Sequence, residues 1–360
     1  MSGQITTPLT KLFGIEKPIL LAGMNVAAGP ELAAAVTNNG GLGVIGGVGY
    51  TPKMLRRTIE ELKGFLNDKN APFGVDLLLP QVGGNARKTN YDYTGGTLPE
   101  LIDIIIEEGA ALFVSAVGVP PKWAVDKLHA AKIPVANIIG APKHAEKGIP
   151  LGIDLFIAQG GEGGGHTGDI PTSVLIPKVV DAVRGHKSPL TGEQICVVAA
   201  GGIFDGRGLA ASISMGADAV WVGTRFIVSK EAGAPPRHQN AVLKAGYTDT
   251  LRTIIYTGRP MRVLRTDYVN DWETNRKQEI RELTGKGTVP IVADIRKIKA
   301  EGREMTFQDQ LNQSPLLMGK CVGAINGEIP TAKEIMDDMV DNAIVQLNRG
   351  ATLVTRQSKL

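Results

Sequence analysis

The sequence predicts an α/β protein, a (β/α)8 barrel with a mostly helical C-terminal lobe over its mouth. Three observations carry this expectation. Short, near-continuously apolar runs recur between residues 15 and 230, as strands buried on both faces of a parallel sheet require. Helical patterns alternate with them, and glycines close many of the runs. After residue 235 the alternation stops and charged helical stretches take over. Eight such runs favour a closed barrel over an open doubly wound sheet. The expected division is residues 1–235 for the barrel, 236–314 for the lobe, and 315–360 for a return segment, terminal helix and tail.

The elements follow in order. Pro18–Met24 is the first strand, with a helical pattern from Pro30 to Val36, where proline suits the first turn. Gly43–Gly46 is the second strand, followed by a helix from Pro52 through Phe65. Phe73–Leu79 is the third, followed by a Gly/Asn/Tyr-rich loop from Pro80 to Gly96 and a helix from Pro99 to Glu108. Leu112–Ser115 and Pro134–Ile138 flank a helix from Lys122 to Ala131. Ile153–Ile157, Ile195–Ala200 and Ala219–Val222 complete the eight, with a helix over Gly208–Met215. In the C-terminal part, Trp272–Leu283, Ile291–Arg303 and Ala332–Leu347 read as helices.

Composition excludes several function classes. At 43% hydrophobic and 21% charged residues the chain has the balance of a globular protein with a substantial core. A net charge of +3 without a basic run argues against nucleic-acid binding. Two cysteines, Cys196 and Cys321, far apart in sequence, make neither a disulfide framework nor a metal-ligand spacing, so no metal is expected. No run reaches the roughly 18 apolar residues of a membrane span. The C-terminal Ser358-Lys359-Leu360 matches a peroxisomal address, which sets the expected location.

The stretch Ala158-Gln159-Gly160-Gly161-Glu162-Gly163-Gly164-Gly165-His166-Thr167-Gly168 directly follows the sixth strand. Glycine lets a flat ligand approach the main chain, and histidine is the side chain suited to proton transfer near neutral pH. A flexible linker is the alternative, but the stretch lacks serine and adjoins a buried strand. His166 is therefore the candidate general base. His129, His144, His186 and His238 fall on helices or connecting loops and read as surface or structural residues. Glu162 either orients His166 or makes a structural contact, and Asp76 either reaches the mouth or forms a salt bridge.

Gly201-Gly202 and Gly223-Thr224 end the seventh and eighth strands, where barrels commonly bind phosphate through free backbone N–H groups. Gly41-x-Gly43-x-x-Gly46 and Gly163-x-Gly165-x-x-Gly168 match the dinucleotide fingerprint literally. The first lies within a strand with no suitably placed acid after it, so neither signals a Rossmann unit. No Gly-x-Ser-x-Gly elbow is present, which argues against a serine hydrolase.

Four blocks, Ala22-Gly23-Met24, Ala158–Gly168, Ala200-Gly201-Gly202-Ile203 and Val222-Gly223-Thr224-Arg225-Phe226, make the chain resemble the nitronate monooxygenases. The resemblance runs from about residue 9 to the Met318–Gly323 segment, and its Glu-Gly-Gly-Gly-His form is similar to the fungal branch. It implies an FMN-binding barrel with a helical lobe over the mouth. Ala22, Gly23 and Met24 would then line the isoalloxazine ring, Gln159, Gly164 and Gly165 the ring and ribityl chain, and Gly201, Gly202, Gly223 and Thr224 the phosphate. Asn137 stands where some relatives place a lysine near the flavin. The implied reaction takes a nitronate, or a nitroalkane deprotonated by His166, with O2 to a carbonyl compound and nitrite. The implied partners are small molecules, with a homodimer as the expected assembly. Two other readings stand beside it: an FMN-dependent NAD(P)H reductase of enoyl thioesters or quinones, and a flavin-binding protein without turnover.

Overall fold

The computed structural model describes residues 3–354. Eight parallel strands form the barrel: β1 (Ile19–Leu21), β2 (Gly43–Gly47), β3 (Phe73–Leu78), β4 (Leu112–Ala116), β5 (Val135–Ile139), β6 (Leu155–Gln159), β8 (Cys196–Ala200) and β9 (Ala219–Val222). The two-residue strand β7 (Gly165–His166) falls between them in sequence and belongs to another sheet. The order β1-β9-β8-β6-β5-β4-β3-β2 is closed by a parallel bridge between Leu20 and Leu42. The Leu21 N–H donates to the Leu42 carbonyl, and the Leu42 N–H to the Ile19 carbonyl.

Alternation along the strands sorts side chains into two cores. Leu20, Val44, Val114, Ala136, Ile157, Val198 and Trp221 fill the barrel. Ile19, Ile45, Val75, Phe113, Phe156 and Val220 pack outward against the helices. The fit is tight at Gly43, where a Cβ would lie 1.9 Å from the Ala33 carbonyl oxygen on the helix Pro30–Asn38. The helix Ala332–Thr352 lies across the helix Gly206–Ser214. Gly206 permits this approach, since a Cβ there would meet the Ala343 nitrogen at 2.5 Å.

The eight expected strands are all present, and the structure adds detail that periodicity did not reveal. The lobe is not purely helical. It carries β10 (Thr250–Thr253) and β11 (Met261–Leu264), an antiparallel hairpin whose inner strand pairs with β7. The expected helix Trp272–Leu283 is two helices, Asp267–Asn275 and Lys277–Gly285. The two meet at Arg276, whose backbone leaves the helical range (φ −116°, ψ 23°) and whose guanidinium stacks 3.3 Å from the Trp272 ring centroid and pairs with Glu279 and Asp294. A helix over Thr172–Val183, with Pro177 inside it, also escapes the periodicity. Among the described residues no helix is long and apolar enough to cross a membrane, and no His/Cys/Asp/Glu cluster has the makings of a metal site. Ser358-Lys359-Leu360 lies outside the described residues.

Candidate active site at the barrel mouth

The site is built where the strands end. Gly23, Gln159, Gly201 and Gly223 sit at or just past the C-terminal ends of barrel strands, the end at which such barrels carry their chemistry, and Asp76 lies inside β3 two residues before its end. Asp76 is buried, with its carboxylate between two glycines: a Cβ on Gly23 would lie 2.5 Å from its Oδ2, and one on Gly46 would lie 2.5 Å from its Cβ. The glycines leave the room that the carboxyl occupies. Its Oδ1 has no hydrogen-bond partner, and burial pushes the acid up to about 8, so it holds its proton at neutral pH. The salt-bridge alternative for Asp76 is thus absent among the described residues.

The phosphate-loop candidates have the required backbone. Gly201 and Gly202 are consecutive left-handed residues, φ 96° and 76°, immediately after β8. Among the described residues no backbone acceptor takes the N–H groups of Gly201, Gly202, Gly223 or Thr224. The Thr224 hydroxyl accepts the Gly319 N–H at 3.0 Å, which draws the return segment onto this corner. Ala22 donates to the Val222 carbonyl, and the Met24 thioether lies against Gly223. These two residues therefore join β1 to the β9 end.

The glycine loop is pinned rather than loose. The Gln159 amide donates to the His166 carbonyl at 2.8 Å and to the Gly164 carbonyl at 3.4 Å. Gly164 packs so closely on Met318 and Gly319 that a Cβ would sit 2.7 Å from the Met318 carbonyl carbon. Gly165, at φ 68°, turns the chain into β7. Glu162 does not touch His166; its carboxylate accepts from the Thr172 N–H and hydroxyl and caps the following helix. Asn137 likewise serves the scaffold, donating to the Ser115 and Gly118 carbonyls.

From the lobe, the buried Arg262 grips the Gly161 carbonyl through Nε and Nη2 at 3.0 and 2.8 Å. Arg252 donates to the Gly168 carbonyl and pairs with Asp169. His166 itself is paired in register with Met261. Its Nε2 lies 3.1 Å from the Thr257 hydroxyl, and burial together with the nearby Arg259 charge pulls its pKa down to about 4. The imidazole is neutral at pH 7.

The reading of the sequence missed Thr257, Arg259, Arg252 and Arg262. The available signal was the turn Tyr256–Pro260 between two short runs that alternate, a hairpin pattern. Of the remaining histidines, His129 reaches Asp154 and His238 reaches the Leu317 carbonyl, both as scaffold contacts.

Comparison with known proteins agrees with this geometry. The family model described as nitronate monooxygenase matches residues 6–342. A (3aS,4S,5R,7aS)-5-hydroxy-7a-methyl-1-oxo-octahydro-1H-indene-4-carboxyl-CoA dehydrogenase of Rhodococcus jostii is 34% identical over 96% of this chain and 97% of its own. Among solved structures, FabK from Thermotoga maritima superposes with a TM-score of 0.77 at 30% identity, covering 97% of this chain and all of that one. A nitroalkane oxidase from Streptomyces ansochromogenes gives 0.72 at 26% identity, over 96% and 99% of the two chains. A match spanning both the barrel and the lobe that pins its glycine–histidine loop places this chain in the nitronate monooxygenase family, an oxidoreductase family.

Proposed function

We propose that the protein is an FMN-dependent nitronate monooxygenase that converts alkyl nitronates, with O2, to carbonyl compounds and nitrite. The observation that carries the reading is a half-buried imidazole, His166, neutral at pH 7, on a pinned glycine loop that packs beside unpaired backbone N–H groups. The residues present suit a flavin mononucleotide. Asp76 Oδ1 is a buried polar atom in need of a partner, and Gly201, Gly202, Gly223 and Thr224 offer donors to a phosphate. Ala22, Met24, Gln159, Gly164 and Gly165 complete the surround. The flavin would supply electron transfer; the chain supplies orientation, charge and water exclusion.

His166 decides between substrates. A general base works best with a pKa near the working pH, and one held near 4 is a weak proton acceptor. The reading therefore puts preformed nitronates ahead of neutral nitroalkanes, with His166 contacting the anion and removing the α-proton only where a neutral nitroalkane is used. The test is a visible spectrum of the purified protein followed by anaerobic mixing with propyl nitronate. A flavin spectrum bleached by nitronate is expected; a colourless protein that binds no added FMN overturns the reading. In His166→Asn, kcat/KM for a neutral nitroalkane falls by about 10²–10⁴-fold, the worth of a placed base, and less for the nitronate. An unchanged nitroalkane value removes His166 as base.

A second reading has its own support. Val26, Val48, Val82 and Tyr91 are exposed on loops that follow β1, β2 and β3, an apolar rim suited to a larger substrate. The whole-length similarity to a CoA-thioester dehydrogenase and to FabK points the same way, toward a flavin-dependent thioester oxidoreductase. Anaerobic bleaching by NADH or NADPH, with no response to nitronate, would select it.

A further inference from the structure

Arg259 is a half-buried cation with no ion-pair partner among the described residues. Arg252 and Arg276 are matched with carboxylates, whereas the more deeply buried Arg262 has its guanidinium on the Gly161 carbonyl and the Thr250 hydroxyl, as the clasp on the glycine loop requires. Arg259 is also held in place by neutral groups. Its Nε donates to the Asn90 side-chain oxygen at 3.1 Å, and its Nη1 donates to the Val117 carbonyl at 3.1 Å. Nη2 has no acceptor among the described residues.

The mounting itself is strained. Val117 follows β4 with φ 71°, a left-handed conformation that a β-branched residue adopts only when its surroundings force it. The neighbouring Gly118 carbonyl is held by Asn137 Nδ2 at 2.7 Å, and Gly118 lies so close to Leu79 that no side chain fits. The ends of β3, β4 and β5 thus cooperate to aim one carbonyl at a guanidinium. Arg87 adds a second positive charge to the neighbourhood, and the Tyr93 phenol acts on Arg259 in the opposite sense. A guanidinium fixed by two neutral acceptors, uncompensated, and beside a half-buried imidazole is arranged for an anion that arrives from outside.

We propose that Arg259 recognises the anionic head of the substrate, holding its planar O–N–O or carboxylate-like group through Nη2 against the His166 imidazole. Thr257 joins the two: its hydroxyl meets His166 Nε2 at 3.1 Å and accepts the Arg259 backbone N–H at 3.3 Å. The assignment rests on the mouth being the active site, as above, and it deepens that reading by naming the group that selects an anion over its neutral conjugate acid.

The probe is nitrate, a planar singly charged anion that cannot be oxidised further. The full-length protein is titrated with nitrate by calorimetry, which needs no flavin signal, and in parallel by perturbation of the flavin absorbance. Wild type is expected to bind nitrate and Arg259→Gln to bind it about tenfold or more weakly, as loss of a charge-assisted contact implies. Arg259→Lys keeps the cation but loses the fork mounted on Asn90 and Val117, and is expected to bind nitrate more weakly than wild type yet more tightly than Arg259→Gln, which separates loss of charge from loss of fold. In steady-state assays Arg259→Gln raises KM for ethyl nitronate far more than for nitroethane. Equal nitrate affinity in wild type and Arg259→Gln, or no nitrate binding by wild type, overturns the assignment. Nitrate binding that depends on Arg259 in a protein that turns over no nitronate supports the assignment and overturns the nitronate reading instead.

Discussion

Burial pushes the two titratable groups of the mouth in opposite electrical senses but to the same end, because it disfavours the charged form of each. His166 is drawn down to about 4 and Asp76 driven up to about 8, so both are neutral at pH 7. Their linkage to stability has opposite sign. Asp76 binds its proton more tightly folded than unfolded, so its contribution is full below about pH 4 and is lost as pH rises toward 8. His166 binds its proton less tightly when folded, so stability falls as pH drops from about 6.5 to 4. Asp76→Asn keeps the shape and removes the ionisable group. The melting temperature of the variant should exceed that of wild type at pH 8 and lose much of the decline between about pH 4 and 8. If the two melting curves track each other from pH 5 to 9, Asp76 is not the protonated acid described here.

At the scale of elements, the lobe hairpin acts as a clasp on the glycine loop. Backbone pairing of β11 with β7 sets the register of His166, and Arg262 and Arg252 take the carbonyls of Gly161 and Gly168 toward the two ends of the loop. This explains how a stretch so rich in glycine holds one side chain in place: entropy lost by the glycines is offset by contacts from outside the stretch. Arg262→Met leaves the Gly161 carbonyl without its charged donor. A loss of about 1–3 kcal/mol follows from the worth of such bonds, with faster amide exchange over residues 160–168. Arg252→Met, at a more exposed pair, should cost less. Denaturant titration with hydrogen exchange by mass spectrometry checks both, and unchanged exchange in Arg262→Met would remove the clasp.

Across the whole molecule, the chain after residue 235 returns to the barrel three times. The hairpin reaches β7, Met318-Gly319 lies against Gly164 and Thr224, and the helix Ala332–Thr352 covers the helix after β8. Packing contacts therefore run across residues 235 and 314. Ile335, Met336, Met339, Val340 and Ala343 bury into the same outer core as the barrel helices. Gly206→Val would drive a side chain into Ala343 and Asn342 and separate the two helices. Overpacking of this kind costs about 1–3 kcal/mol. A urea midpoint equal to that of wild type would show that the terminal helix does not brace the barrel.

The sequence by itself determined the barrel and the stage for its chemistry. Strands buried on both faces must be apolar along their length, and close approaches such as Gly23 on Asp76 or Gly43 on Ala33 admit only glycine, so both leave marks in local composition. His166 stood out for the same reason, as the one histidine on a strand-end glycine loop. What only the tertiary structure decided is how that histidine is held and what faces it. Thr257 meets His166 across 91 residues, and Arg259 meets Val117 across 142. Such pairings depend on where the lobe folds back. A two-residue partner strand such as β7 is too short to carry a periodic signal, and a hydrogen bond between distant residues leaves no trace in either one's neighbours.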